Sequence, residues 1–333
     1  GFLIMKILIG SSVVPYKTDK EFIEQLTKAY PDIEFCLSLD ENHEEKEIVT
    51  SDLYYGVPSE KVLLAVSEKL KWIHVPGTGI DDISNQEFID SDVILTNCPQ
   101  AHTKPMADHV VGMIISLAHK LWEQRDFQKQ HVWAQEKYQR AGKLNDDPFV
   151  DLSETTLGIV SMGGIGRQIA QRAKGFEMDI YGIDKYPSDP PEGVSQIWGL
   201  DKLDDLIQIS DWLVITSPYT PETKGLINEK HLHLFKPSSH VIVISRGGIF
   251  DEKVLLKGLQ TKKIKGAGID AFETEPLDPK SPLWDMPNVI ISPHTSSNTY
   301  TMESQRKQIF VDNLDRFIKG EKLHHICNKK EGF

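Results

Sequence analysis

The sequence predicts an α/β protein built on parallel sheets. Short β-rich runs alternate with helical segments along most of the chain. The alternation opens twice, near residue 4 and again at residue 157. At roughly 150 residues per domain, a 333-residue chain also has room for about two domains.

In the first series, strands are expected over 4–10, 33–37, 53–55, 72–75 and 93–96. A helix over 19–30, capped at Thr18 or Asp19, sets Phe22, Ile23 and Leu26 on one face. Ser59 and Ser84 are suited to cap the helices that follow. A long helix is expected from about 103–105, with Pro105 in its first turn, to at least Lys120. The second series predicts strands over 157–161, 179–183, 212–216, 241–244, 266–269 and 289–292, with one helix capped by Asp251. A last helix over 300–319 buries Met302, Ile309, Phe310, Leu314 and Phe317, and Gly320 ends it. The polar stretch 142–153 is the one loop-like insertion.

A hydrophobic share of 39% is too high for a disordered chain. The net charge of −12 argues against nucleic acid or an anionic membrane as a partner, since both need a basic surface. The longest apolar run, 110–118, is about half of the ~20 residues that span a bilayer. Lys6 interrupts the apolar start, which reads as a buried strand rather than a signal peptide, with Met5 or a residue upstream as the native start. Cys36, Cys98 and Cys327 show no paired spacing, so neither disulfides nor zinc are expected, and a reducing cytoplasm is the expected compartment. His102 and His109 lack an acidic or cysteine partner in pattern, and no metal is assigned.

Residues 157–160 run as a strand into Ser161-Met162-Gly163-Gly164-Ile165-Gly166 and then a helical segment. Strand, glycine-rich turn and helix together form a dinucleotide fingerprint, with Gly163, Gly164, Ile165 and Gly166 presenting backbone to a pyrophosphate at a helix N-terminus. Ser161 stands at the first glycine position and can hold the turn at some conformational cost. Asp184 follows the next strand, eighteen residues after Gly166, where a carboxylate accepts ribose hydroxyls and repels a 2′-phosphate. This points to NAD. Lys185 alongside keeps NADP open.

Five further segments resemble the D-isomer-specific 2-hydroxyacid dehydrogenases: 75–81 (VPGTGID), 217–227 (SPYTPETKGLI), 244–251 (ISRGGIFD), 268–277 (GIDAFETEPL) and 282–295 (PLWDMPNVIISPHT). Together with the crossover helix over 97–118, they stand in that family's order. The resemblance implies two Rossmann-like domains: a flavodoxin-like substrate domain of residues 1–98 and 301–333, and an NAD-binding Rossmann domain of residues 99–300. It implies hinge motion at the crossings near 97–105 and 296–300.

By the same resemblance, His294 would be the acid/base, Glu275 would orient its ring, and Arg246 would bind the carbonyl and carboxylate of a 2-oxo acid. Gly77, Thr78 and Gly79 would grip the substrate carboxylate. Ser217, Pro218, Thr223, Ile244, Ser245 and Asp270 would line the cofactor, with Asp270 near the nicotinamide. A helix containing Trp133 would resemble the family's dimer arm, which makes a homodimer the expected assembly. The implied activity is hydride exchange between NAD(H) and a small 2-oxo or D-2-hydroxy acid. The alternatives are a non-enzymatic, NAD-sensing corepressor-like protein on the same fold, or an NADPH-preferring glyoxylate/hydroxypyruvate reductase.

Overall fold

The computed structural model describes residues 5–10, 20–140 and 143–333. The expected cap at Thr18 or Asp19 lies outside the described residues. The chain divides into two compact units, Gly1–His102 with Thr299–Phe333, and Thr103–Asn298.

The first unit holds a five-stranded sheet of β1 (Met5–Ile9), β2 (Ile33–Leu37), β3 (Leu53–Tyr55), β4 (Trp72–His74) and β5 (Ile94–Thr96). Every pairing is parallel, in the order β2-β1-β3-β4-β5, which is the flavodoxin-like order. Helices α1 (Lys20–Ala29), α2 (Glu41–Ile48), α3 (Glu60–Leu64) and α4 (Gln86–Asp90) connect the strands. Alternate side chains feed two cores. Ile7 and Ile9 pack in one and Leu8 in the other, as a period of two requires when both faces are covered. Ser59 caps α3 as its sequence predicts, whereas Asn85 rather than Ser84 caps α4 by accepting the Phe88 amide.

The expected long helix, α5, runs from Pro99 to Ala118, so it starts earlier than the pattern suggests and Pro105 sits inside it. Pro99 is the proline at the first helical position, where its missing N–H has no intrahelical role. Beyond it lie α6 (Leu121–Lys129) and α7 (Gln135–Tyr138). Trp133 falls between them rather than in a helix, and is 89% exposed. The expected insertion carries half of a two-residue hairpin, β6 (Gln139–Arg140) with β7 (Lys143–Leu144), and a 3-10 turn at Leu152–Glu154.

The second unit is a seven-stranded, all-parallel sheet: β8 (Thr156–Val160), β9 (Asp179–Ile183), β10 (Gln196–Trp198), β11 (Trp212–Ile215), β12 (His240–Val243), β13 (Gly266–Ile269) and β14 (Val289–Ile291). Its order is β10-β9-β8-β11-β12-β13-β14, the dinucleotide-binding order extended by one strand. Helices α8 (Gly164–Ala173), α9 (Leu203–Ile209) and α10 (Glu252–Gln260) complete it. Leu157, Ile159 and Val214 pack on the face that receives Val110 and Ile114 of α5, while Val160, Leu213 and Ile215 pack on the other.

The chain then returns to the first unit through α11 (Tyr300–Lys319), which Gly320 ends in a left-handed conformation. Its anchor is Phe310, fully buried with its ring 4.5 Å from Tyr55 and 5.3 Å from His74. Of the core positions expected on α11, Met302, Phe310 and Leu314 are buried; Ile309 and Phe317 are partly so. No helix among the described residues is long and apolar enough to cross a membrane.

Candidate active site

In the second unit, three loops at the C-terminal ends of adjacent strands carry the expected catalytic residues. Arg246 follows β12, Glu275 follows β13, and His294 follows β14. Ligands of open parallel sheets bind outside this edge.

The histidine loop is tied down by a buried carboxylate. Asp270 is fully buried. Its Oδ1 accepts the Ser292 hydroxyl at 2.5 Å and the Thr295 amide at 3.0 Å; its Oδ2 accepts the Ser296 amide at 3.2 Å. The Asp270 carbonyl accepts the His294 amide at 3.0 Å. These bonds hold His294 at φ 53°, a left-handed conformation uncommon outside glycine. Such backbone strain, of order 1–3 kcal/mol, persists only where surrounding contacts impose it. His109 Nε2 also reaches the Ser292 hydroxyl, at 2.9 Å.

His294 Nδ1 lies 2.7 Å from Glu275 Oε2. The other carboxylate oxygen accepts the Phe272 amide at 3.0 Å, so the acid is held at both ends. An acceptor at Nδ1 fixes the tautomer and leaves Nε2 as the nitrogen that can exchange a proton. The Glu275 hydrogen bond raises the imidazole above its ordinary value; burial and the Arg246 charge oppose it, and the charges of Glu275 and Asp270 add to the rise. Burial pushes the Glu275 carboxyl up, but the His294 bond, the Phe272 amide and the charges of His294 and Arg246 outweigh it and hold the group low.

Arg246 is half-buried and donates through Nη1 to the carbonyl of Ser245 at 2.9 Å. Its charge acts on both Glu275 and His294, so the three groups form one electrostatic unit.

The glycine-rich turn opens α8 with Gly163 at the N-cap and no side-chain cap, leaving the first-turn amides for an external acceptor. A β-carbon on Gly163 would meet nothing within 4 Å, so the backbone there is open. One on Gly166 would lie 2.5 Å from the Ser161 carbonyl oxygen, which explains why only glycine fits. Ile165 is half-buried on α8. Asp184 reaches back to the turn through the Met162 amide, 2.8 Å from its Oδ2. Uncapped amides, an open backbone and a carboxylate at the next strand end fit a dinucleotide's pyrophosphate and ribose.

The other expected cofactor positions are spread along the same strand ends. Ser217, buried after β11, donates to the Val160 carbonyl at 3.2 Å, beside Pro218. Thr223 donates to the Pro218 carbonyl at 2.7 Å. Ile244 and Ser245 are buried at the end of β12. Asp270, buried after β13, turns its carboxylate oxygens to the His294 loop.

Gly77, Thr78 and Gly79 belong to the first unit. The Gly77 carbonyl accepts the Cys98 amide at 2.8 Å, and the Thr78 carbonyl accepts Asn97 Nδ2 at 2.6 Å. The Thr78 hydroxyl is buried without a hydrogen-bond partner among the described residues.

Two features escaped the sequence. Gly247 brings the Arg246 loop against the backbone of 272–273. Glu252 and Glu273 cross-brace the same loops, each accepting the other's amide, at 3.0 and 3.3 Å. A glycine beside the arginine was the one available signal for the first; nothing local marks the second.

Residues 111–296 match the family model for the NAD-binding domain of D-isomer specific 2-hydroxyacid dehydrogenases. A glyoxylate reductase of Thermococcus litoralis is 33% identical over 276 residues, covering 81% of this chain and 80% of its own. A D-3-phosphoglycerate dehydrogenase of Methanocaldococcus jannaschii is 28% identical over 277 residues and 82% of this chain; the chain spans about half that relative's length, 50%. Among solved structures, a D-isomer specific 2-hydroxyacid dehydrogenase family protein from Aeromonas salmonicida subsp. salmonicida A449 superposes with a TM-score of 0.79 at 28% identity, covering 98% of this chain and 99% of its own.

Proposed function

The chain belongs to the D-isomer specific 2-hydroxyacid dehydrogenases, NAD(P)-dependent oxidoreductases, and from that premise we propose that it reduces a small 2-oxo acid to the D-2-hydroxy acid. The single observation that carries this reading is the 2.7 Å contact between His294 Nδ1 and Glu275 Oε2, beside the Arg246 charge.

Bound nicotinamide supplies or accepts the hydride. Gly163, Gly164 and the first turn of α8 would receive its pyrophosphate, Asp184 the adenosine ribose, and Ser217, Pro218, Thr223, Ile244 and Ser245 would line the cleft. Arg246 presents a planar fork that matches the carboxylate and carbonyl of a 2-oxo acid. His294, whose protonated form the Glu275 hydrogen bond favours, would give its Nε2 proton to the carbonyl oxygen as the alkoxide forms. In the reverse direction the neutral ring takes that proton back. Asp270 contributes by holding the His294 loop. Gly77, Thr78 and Gly79 are the proposed grip on the substrate carboxylate.

The name of the Thermococcus litoralis relative favours glyoxylate as the first substrate to try. The deciding experiment is NADH and NADPH oxidation against a panel of glyoxylate, hydroxypyruvate, pyruvate and branched 2-oxo acids. Turnover with none of them would favour the NAD-sensing corepressor instead. A homodimer is the proposed assembly, with exposed Val132, Trp133 and Leu144 as the apolar surface on offer. A monomer by sedimentation would refute it.

A further inference from the structure

Ser161 occupies the first glycine position of the fingerprint and holds φ at 83°, a region that side chains rarely enter. Its surroundings impose this. The amide donates to the Ile183 carbonyl at 2.9 Å, and the carbonyl accepts the Thr216 hydroxyl at 2.6 Å. Glycine would meet those demands without strain, so the side chain needs an account of its own. Its hydroxyl points at Asp184, with Oγ 3.3 Å from Oδ2. The same oxygen accepts the Met162 amide at 2.8 Å, while Oδ1 accepts the Tyr186 amide at 2.9 Å.

We propose that Ser161 is a positioning residue for cofactor choice: with the Met162 and Tyr186 amides, its hydroxyl fixes the Asp184 carboxylate over the turn and so strengthens discrimination against a 2′-phosphorylated dinucleotide. The proposal rests on the dinucleotide-site reading of the glycine-rich turn. A carboxylate offers about four acceptor positions, and three donors hold this one. It cannot swing aside to admit a phosphate without giving up those bonds, and the remaining acceptor capacity favours a hydroxyl donor. A carboxylate held by the two amides alone, both on backbone, has one fewer restraint on its rotation. The Ser161 hydroxyl is the restraint that varies with the side chain.

The test compares the parent protein with Ser161→Gly, Ser161→Ala and Asp184→Ala, by fluorescence titration with NADH and with NADPH and by thermal melting without nucleotide. Both Ser161 variants are expected to lower the ratio of NADPH to NADH dissociation constants by about 3- to 10-fold, the worth of one hydrogen bond. Their melting points separate strain from bonding: Ser161→Gly melts above Ser161→Ala, because glycine alone relieves the positive φ. A structural role without a part in cofactor choice moves the melting point and leaves the ratio where it was. An unchanged ratio in both Ser161 variants, with Asp184→Ala still shifting it, overturns the proposal and leaves the dinucleotide site standing. A parent protein that binds neither nucleotide overturns both.

Discussion

Gly247 and Phe272 approach so closely that a β-carbon on the glycine would stand 1.9 Å from the Phe272 carbonyl carbon and 2.2 Å from the Glu273 amide nitrogen. The loop that carries Arg246 therefore rests directly on the backbone that carries Glu275. Phe272 also gives its amide to Glu275 Oε1, so any shift of this backbone reaches the carboxylate that holds His294. The Arg246 and Glu275 loops thus meet at a contact that leaves no room for a side chain.

Gly247→Ala is accordingly expected to damage both stability and turnover. The obstacle is backbone on both sides, which cannot rotate away as a flexible side chain could, and overpacking of this kind costs about 1–3 kcal/mol. Urea unfolding reads the first effect. The second appears as a fall in kcat with nucleotide affinity largely retained, since the turn at Ser161–Gly166 lies elsewhere on the sheet edge. An alanine variant with parental stability and turnover would show that the loops are not so tightly joined.

Reduction should fade toward alkaline pH. His294 sits above its ordinary value of 6.5, so its contribution to stability is complete below that value and is lost as the pH climbs through the raised one. Glu275 sits below its ordinary 4.5, so its contribution is complete above that value and disappears as the pH falls through the lowered one. The ion pair is intact between these limits. Because reduction needs the protonated ring, Glu275→Gln should move the alkaline limb of the rate profile to lower pH. His294→Ala should cut turnover by about 10²-fold or more with NADH binding kept. A limb that stays in place in Glu275→Gln would mean that Glu275 does not set the proton affinity of the ring.

The glycine-rich turn and Asp184 were legible as a local pattern beside two strands, whereas Arg246, Glu275 and His294 were singled out by the resemblance of their segments to a family's motifs, and the structure sets those segments after three adjacent strands. What was not legible depends on distant partners. Helix α2 has little apolar periodicity: its core-facing positions are Ile48 and Glu44, and Glu44 is buried because Tyr54 and Ser38 hydroxyls bond its two oxygens at 2.8 and 3.0 Å. Pro105 marked a helix start in the sequence, yet Pro99 begins α5 and Pro105 is carried inside it. Strand β10 has only three residues at the sheet edge, too few for alternation to show. Asn85 and Ser84 are equally good caps by type, and only the fold selects between them.

Lys329 closes the first unit by a different device. Its Nζ donates to the carbonyls of Phe88, Ser91 and Val93 at 2.9, 2.6 and 3.0 Å, and lies 4.7 Å from the centre of the Phe88 ring. It satisfies carbonyls at the C-terminal end of α4 with a positive charge, where the helix dipole favours one. Lys329→Met keeps most of the stem and removes the donors, so it isolates the hydrogen bonds. A loss of about 1–3 kcal/mol is expected in urea unfolding. No change would mean that water replaces the ammonium without penalty.

Asp270→Asn asks whether the buried carboxylate positions the His294 loop. The aspartate accepts three donors, one hydroxyl and two amides, and donates nothing through its side chain. Asparagine is nearly the same size but turns one acceptor into a donor. Whichever way the amide is set, its NH₂ faces an N–H or a hydroxyl that had been satisfied, and a buried donor left in that state costs about 1–3 kcal/mol. The left-handed conformation of His294 is imposed by this network, so loosening it should let the backbone relax and pull Nδ1 away from Glu275. Hydrogen exchange at the Thr295 and Ser296 amides should accelerate, and the alkaline limb of the reduction profile should move to lower pH, as in Glu275→Gln. Slower turnover with unaltered exchange and an unmoved limb would place the aspartate's effect on the nicotinamide side of the cleft and remove the positioning role.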